Sequence, residues 1–453
     1  MSFATHLLAL SSLVAVVCLS GRGANSAASS AASSVPHAPP SATLAQDLPT
    51  RGSIRGDIVL TPTDVVLPGG RRVESANSLA RALEWAGPGA RILMGAGDYP
   101  SLGIGHDSPR AWNSKAHGGT LEAPVRVSAR GRVRILPGNQ PDALTVHQQI
   151  PSAHIEFERI TFVAGDRAGI VLSDLDGEQE HRGFRFYDCT IDGGFDHRSG
   201  LGTRSKWGVL AHDMNDFVFA GRDARAVVKN TCREHAFYLQ NPRGDVTIEH
   251  VDASELGRTF VQIAGRERSG APGRGLVRLV DNDVRDIGIA EGDGYKGGSA
   301  FTFMGRLEGC TILVEGNRYR AGFVADLLPL RPKDGSYGTS ALAVWDEGQG
   351  HYNGTLVLRA NDFETAPGCG DRPLVSIHAT RRVIVTADNR FVSGSKWPAL
   401  HLDPLDRSGK PTATPNGAVQ VERGVTLGGA FLVAGEGLNE ERLAALAVPL
   451  GER

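Results

Sequence analysis

The sequence predicts an all-β fold, a single-stranded right-handed parallel β-helix (a solenoid) with a capping helix at its N-terminal end. Three observations predict it. One strand-like pattern recurs eight times, a second alternating run recurs between its copies, and asparagine returns at one phase of the first pattern in four consecutive copies.

The first pattern, apolar-x-apolar-x-x-Z-x-apolar, begins at Ile155 (IEFERITF), Phe184 (FRFYDCTI), Phe217 (FVFAGRDA) and Val246 (VTIEHVDA). It continues at Val277 (VRLVDNDV), Ile312 (ILVEGNRY), Leu356 (LVLRANDF) and Ile384 (IVTADNRF). The offsets of 29, 33, 29, 31, 35, 44 and 28 residues describe a common rung carrying loops of different length. Between these segments lie GIVLSD from Gly169, GVLAHD from Gly208, AFYLQN from Ala236 and FVQIAG from Phe260. AFTFMG from Ala300, ALAVWD from Ala341, LVSIHA from Leu374 and ALHLDP from Ala399 follow. Alternation with period two marks a half-buried strand, so each coil supplies at least two short strands.

Position Z holds Ile160, Cys189, Arg222 and Val251, then Asn282, Asn317, Asn361 and Asn389. Asparagine tolerates the left-handed backbone that a sharp bend needs, and stacked asparagines can hydrogen-bond along their column. Arg222 breaks the rule and marks either a distorted coil or a shifted register.

Composition agrees. The chain has 57 Gly and 24 Pro, about 18% of its residues, against an ordinary ~12%. With 41% hydrophobic residues, that suits many short strands joined by bends. A formal charge of −2 argues against a broad cationic surface, so no nucleic acid partner is expected.

Residues 1–26 read as a signal peptide around an apolar run at 7–19, too short to span a bilayer comfortably. No Lys or Arg precedes the run, and cleavage fits after Ser20 or Ser26. Cys18 admits two readings, a lipid anchor or a cysteine removed with the signal; Val17 before it is larger than a lipidation site wants. Residues 27–50 are an Ala/Ser/Pro-rich disordered tether, unable to bury a core. The β-helix is expected over 51–438, and 439–453 as a C-terminal cap or tail. No other segment is apolar enough to span a membrane, and a monomer is expected. Cys189, Cys232, Cys310 and Cys369 are an even set that permits disulfides in an exported chain. Their spacing matches no zinc pattern, and isolated buried thiols are the favoured reading.

Residues 77–102, NSLARALEWAGPGARILMGAGDYPSL, have Leu79, Ala82, Leu83 and Ala86 at helical spacing. Asn77 or Ser78 can cap the helix and Gly87 can end it. This stretch resembles the opening of bacterial right-handed β-helix proteins of the pectin-lyase-like superfamily, where a short amphipathic helix caps the open end. APVRVSARGRVRIL from Ala123 resembles the rung that follows. Gly89-Ala90 stands where the family has Asp after Pro-Gly. The resemblance covers roughly residues 75–435 and implies a secreted, periplasmic or cell-surface bacterial protein with a polysaccharide partner. It specifies activity poorly, because the superfamily holds lyases, hydrolases, esterases, epimerases and inert adhesins.

The second strand of each coil leaves two outward columns. One reads Val171, Leu210, Tyr238, Gln262, Thr302, Ala343, Ser376, His401; the other reads Ser173, His212, Gln240, Ala264, Met304, Trp345, His378, Asp403. Such a face can hold a chain of sugar rings, or be merely a solvated sheet face. The densest polar patch lies in the middle coils, and insertions at 265–276, 285–299 and 320–340 are long enough to wall it. The candidate catalytic residues are His235, Tyr238, Arg258 and His212; the candidate substrate-binding residues are Gln240, Gln262, Arg266, Trp345 and His378. A lyase that removes the proton α to a uronate carboxylate needs a base and a cation that holds the carboxylate. His235, His212 or Tyr238 can serve as base or acid, and Arg258, Arg266 and Gln262 can hold the carboxylate. Each arginine can equally pair with Glu234, Glu255 or Glu267. Hydrolysis needs two facing carboxylates, for which Asp174 and Asp213 share one phase. The favoured function is a polysaccharide lyase acting on a uronate-containing glycan; the alternatives are a non-catalytic surface glycan-binding or adhesin module, or a glycoside hydrolase. No metal or cofactor is predicted. Calcium, which assists many lyases of this fold, is left open through loop acids such as Glu291 and Asp293.

Overall fold

Each coil places three short strands around an apolar interior, and each strand pairs in parallel with the strand at the same phase one coil on. The computed structural model describes residues 48–105, 113–147, 149–172, 181–196, 206–265, 272–288, 298–322, 339–346, 351–369, 372–402, 416–429, 431–433 and 436–437. On the first face, strands such as Ile155–Val163, Phe184–Tyr187, Phe217–Ala220, Val246–Glu249 and Arg274–Val280 stack in register. A sharp turn leads to the second face, with Thr190–Asp192, Ala226–Lys229, Val251–Ser254, Asp283–Arg285 and Arg318–Ala321. The third face carries Ala168–Leu172, Trp207–His212, Phe237–Gln240, Val261–Gly265, Gly298–Gly305, Thr339–Trp345, Val375–Ile377 and Leu400–Leu402. The sequence resolves the first and third faces. The second is hidden inside the tail of the first pattern, where a strand of three or four residues is too short to show a period.

The interior is close-packed. On the third face Ile170, Val209, Phe237, Val261, Phe301, Leu342, Val375 and Leu400 pair in sequence and are all buried, the predicted register. Phe219, Phe237, Phe260, Phe301, Phe363 and Phe391 form a continuous aromatic chain with ring centroids 5.1 to 5.9 Å apart. Each such pair contributes about 0.5–1.5 kcal/mol beyond its burial.

The asparagine column turns the first face into the second. The Asn317 amide oxygen accepts from the Asn282 backbone N–H (3.1 Å) and Nδ2 (2.9 Å). Asn361 does the same for Asn317, and Asn389 for Asn361. Each Nδ2 also donates to a strand carbonyl of the preceding coil: Asn282 to Ile248, Asn317 to Leu279, Asn361 to Val314, Asn389 to Leu358. All four are almost wholly buried, so every amide group must find a partner. In three of the four turns the left-handed residue is not the asparagine, as expected from sequence, but the one before it. Asp281, Gly316 and Ala360 have φ of 50°, 65° and 52°. The bend needs both, one residue to reverse the chain and the next to satisfy its exposed amides.

Two registers differ from the sequence reading. Val251 pairs with Ala226, four residues beyond Arg222. Residues 222–225 are an inserted loop whose backbone N–H groups at Asp223 and Ala224 donate to the Asp188 carboxylate (3.1 and 3.2 Å). Arg222 instead lies over the Tyr187 ring, 3.6 Å from its centroid. Farther on, Leu356 pairs with Val383 rather than Ile384. A one-residue slip exchanges the two faces of a strand; Val383 and Val385 are buried and Ile384 is half-buried. The turn after Val385 absorbs the extra residue, which keeps Asn389 in the column.

The helix predicted near the N-terminus is Ser78–Trp85. Asn77 caps it by accepting from the Ala80 N–H at 3.0 Å, and Leu79, Ala82, Leu83 and Trp85 are buried. Before it, Asp57–Thr61 adds in parallel to Arg91–Met94, and Asp64–Val66 and Arg72–Glu74 follow in antiparallel order. This meander has no counterpart in the repeat and was not legible from it. Cys189, Cys232, Cys310 and Cys369 are buried thiols. Burial pushes Cys189 and Cys310 up to about 12, so neither is a thiolate at neutral pH. The expected signal peptide with Cys18, the expected tether up to residue 47 and the C-terminal segment after Gly437 lie outside the described residues. Among the described residues, no helix is long and apolar enough to cross a membrane.

Replacing Asn317 with leucine strands the Asn282 N–H and the Leu279 carbonyl inside the turn. Each orphaned buried group costs about 1–3 kcal/mol, so the thermal unfolding midpoint should fall clearly below wild type. A midpoint unchanged in Asn317→Leu would show that the column is not holding the bend.

Candidate functional site

Charge separates the three faces. Outward residues of the first face pair in chains: Arg126 with Glu156 (3.1 Å), Glu156 with Arg185 (3.2 Å), and Arg185 with Asp216. On the second face Arg320 pairs with Asp362, and Arg390 with Asp362 (2.7 Å) and Glu364 (2.8 Å). Such pairs stabilise little individually, but they neutralise the surface they cover. Among the described residues, the two outward columns of the third face hold no Asp, Glu, Lys or Arg. They carry Tyr238, Gln262, Thr302, Ser376 and His401, and beside them His212, Gln240, Met304, Trp345 and His378. This face offers hydroxyls, amides, imidazoles and aromatic rings.

Three consecutive strands of it bring most of the candidate residues together. Leu210, Tyr238 and Gln262 are partners in register, as are His212, Gln240 and Ala264. Tyr238 and His212 are therefore diagonal neighbours on one surface, and both are half-buried. Gln240 and Gln262 lie deeper, 3% and 9% exposed, and the Gln262 amide lies 3.1 Å from the Met304 sulfur. They form the floor of the patch rather than its rim.

His235 arrives from the turn before the strand. That turn is built by Asn230 and Arg233, with φ of 58° and 59°, and by Thr231. The Thr231 hydroxyl donates to the Glu234 carbonyl (3.1 Å) and accepts from the Gly257 N–H one coil on (3.1 Å). Gly257 has to lack a side chain, because a Cβ there would lie 2.2 Å from the Arg233 nitrogen. The His235 ring stacks on Tyr238 with centroids 5.2 Å apart and planes at 22°. It is buried at 2% exposed. Burial, reinforced by the nearby Arg258 guanidinium, holds its imidazole well below the ordinary 6.5. His235 is thus an uncharged ring supporting Tyr238, whereas Tyr238 meets the surface. Sequence reasoning placed His235 beside Tyr238 but missed Thr231, whose only trace is a Thr three residues before a Glu.

Arg258 is half-buried on the strand edge one coil beyond His235. Arg266 lies outside the described residues, as do half of the insertion at 265–276 and most of those at 285–299 and 320–340. Trp345 and His378 are not part of the patch. The Trp345 strand is three strands beyond that of Tyr238, about 14 Å at ~4.8 Å per strand. His378 lies one strand farther, its backbone N–H donating to the Val344 carbonyl at 3.2 Å. Burial lowers His378 against an opposing pull from Asp346, and burial with His378 lowers His401.

The paired-carboxylate reading fares differently. Asp213 sits at a left-handed turn with φ of 48° and is bound to Arg243 at 2.7 Å, both side chains nearly buried. That is a turn residue held by an ion pair. Asp174 lies outside the described residues. Among the described residues no group of three or more His, Cys, Asp or Glu is arranged to hold a metal; Glu291 and Asp293, the loop acids considered for calcium, lie outside the described residues.

No protein-family model matches the chain, and no curated protein matches it. Among solved structures it is similar to an alginate lyase from Paenibacillus sp. str. FPU-7, at 13% identity and a TM-score of 0.42, covering 83% of this chain and 97% of that one. It is also similar to pectate lyase Pel9A, at 12% identity and a TM-score of 0.37, covering 72% of this chain and 78% of that one. A mannuronic acid specific polysaccharide family 6 lyase from human gut microbiota is similar at 11% identity and a TM-score of 0.38, covering 81% and 73%. Likenesses this distant transfer neither residues nor chemistry.

The buried imidazoles make stability pH-dependent in a definite direction. His235, His378 and His401 all lie below 6.5 when folded. The unfolded chain therefore binds protons that the folded chain refuses. Their contribution is fully present above pH 6.5 and is lost as pH falls from there toward the folded values. The unfolding midpoint should decline from neutral pH to about pH 5, and His235→Gln should flatten that decline. Identical slopes for wild type and variant would contradict the burial of an uncharged His235.

Proposed function

We propose that this is an exported polysaccharide lyase that cleaves a uronate-containing glycan by β-elimination. The observation that carries the reading is the group formed by Tyr238 stacked on uncharged His235, with His212 diagonal to Tyr238 and Arg258 at the adjoining edge. It lies on a face whose two outward columns hold no Asp, Glu, Lys or Arg among the described residues.

The roles follow from position. Arg258 binds the uronate carboxylate and holds the negative charge that grows there as the C5 proton leaves, a task suited to a fixed cation at a partly desolvated site. The His212 imidazole accepts the C5 proton. The electron pair forms the C4–C5 double bond, the bond from C4 to the bridging oxygen breaks, and Tyr238 donates its hydroxyl proton to the departing oxygen. Proton transfer of this kind contributes about 10²–10⁴-fold to a rate. His235 touches no substrate in this scheme; it fixes the plane of Tyr238 and adds no charge of its own beneath it. Gln262 and Gln240 hydrogen-bond sugar hydroxyls from the floor, and the signal and tether deliver the domain outside the cell.

The test is incubation with alginate, polygalacturonate and glycosaminoglycans while following the absorbance of unsaturated uronides. Activity on at least one is expected, with Tyr238→Phe lowering kcat about 10²–10⁴-fold and Arg258→Ala lowering kcat/KM about 10²–10³-fold. New reducing ends without that absorbance would replace the lyase with a hydrolase. Binding without product would make the chain a glycan-binding module.

A further inference from the structure

The third face has an edge as well as a surface, and the edge has its own register. Phe237, Val261, Phe301, Leu342, Val375 and Leu400 are successive partners. Three residues before Val261 stands Arg258; three before Val375 stands Arg372; three before Leu400 stands Trp397. Arg258, Arg372 and Trp397 thus share one edge of the solenoid. Arg372 is three coils and Trp397 four coils from Arg258, about 14 and 19 Å at ~4.8 Å per coil.

Trp397 is unusual in this molecule. The indole is 40% exposed, one of three large apolar side chains so exposed among the described residues, and Lys396 beside it is exposed too. The turn that carries it is nevertheless tied down. The Gly394 N–H donates to the Thr365 hydroxyl (2.9 Å), the Ser393 and Ser395 hydroxyls bond each other (3.1 Å), and the Trp397 N–H donates to the Ser395 hydroxyl (3.2 Å). Backbone bonds from Gly368 to Gly394 (2.7 Å) and from Leu374 to Pro398 (2.9 Å) lock it to the loop bearing Arg372. An aromatic ring held in water by a fixed turn forgoes the burial that would stabilise it; Lys396 precedes it in the chain, and Arg372 stands one coil back on the same edge.

We infer that Lys396, Trp397 and Arg372 form a second, non-catalytic binding site for an anionic glycan, on the same edge as Arg258. The indole stacks against the apolar C–H face of a sugar ring, and the two cations meet carboxylates. The occupant is a polyuronate chain, chosen by charge complementarity and by continuity with the Arg258 edge; this identification rests on the function proposed above. A single chain laid along the edge reaches both sites, so the second raises affinity for polymers and leaves short oligosaccharides indifferent.

Native electrophoresis of the full chain through gels containing polygalacturonate or alginate, with dextran as the neutral control, reads binding without reference to catalysis. Wild type should be retarded by a polyuronate and not by dextran. Trp397→Ala and Lys396→Glu should each weaken that retardation, Trp397→Ala by about ten-fold in affinity (about 1.4 kcal/mol), and should raise KM for polymer only. Retardation unchanged in both variants, or equal retardation by dextran, would overturn the site. If Tyr238→Phe keeps full activity while Trp397→Ala loses binding, the chemistry assigned to Tyr238 fails and the second site stands.

Discussion

In-register parallel stacking makes the nearest neighbour of nearly every side chain the residue at the same phase one coil away, and the other features follow from that. Inside the turn it forces like onto like, which a hydrogen-bonding amide tolerates and a lone charge would not. Asn282, Asn317, Asn361 and Asn389 solve the problem because an amide both donates and accepts, so a column of them satisfies itself from coil to coil. In the interior the same rule stacks Phe157, Phe186 and Phe219 on the first face and Phe363 on Phe391 on the second. On the outer surface it favours opposite charges in neighbouring coils, as in Arg126, Glu156 and Arg185 and in Arg318, Asp362 and Arg390, since like charges at one strand spacing repel.

That last consequence sets the third face apart. The first two faces spend their polar residues on one another, Arg126 on Glu156 and Arg320 on Asp362. The third presents uncharged hydrogen-bonding groups and rings, and keeps its cations on the edge, at Arg258, Arg372 and Lys396. A sugar polymer with carboxylates matches that division, hydroxyls and ring faces over the sheet and carboxylates along the rim. Tyr238 occupies the place where surface and edge meet. The turn through Thr231 and Gly257 brings a buried, uncharged imidazole beneath its ring.

Much of this was legible in the sequence, and the misses have physical causes. The register of the third face could be read because its alternation is unbroken: Ile170, Val209 and Phe237 point inward at equal phase, and no insertion falls inside a strand. The asparagine column was visible as a phase, although the left-handed residue is its neighbour, since the sequence shows which residue recurs and not which dihedral it adopts. Arg222 and Val383 were misplaced because a loop of four residues and a slip of one both fall inside a turn, where no apolar period constrains the count. The meander from Asp57 to Glu74 belongs to no repeat. Tyr238, His212 and Gln262 were brought together by register alone, but the burial of His235 depends on packing against Tyr238. Trp397 lies in a turn, outside any pattern that would single it out.

The claim that the uncharged third face is the one that meets glycan is tested most directly by hydrogen–deuterium exchange with and without polyuronate. Protection should appear in Trp207–His212, Phe237–Gln240 and Val261–Gly265 and along the turns that precede them. Strands of the charged faces, such as Val246–Glu249 and Asp283–Arg285, should exchange as before. Protection confined to those charged faces, with the Tyr238 strands unchanged, would contradict the account.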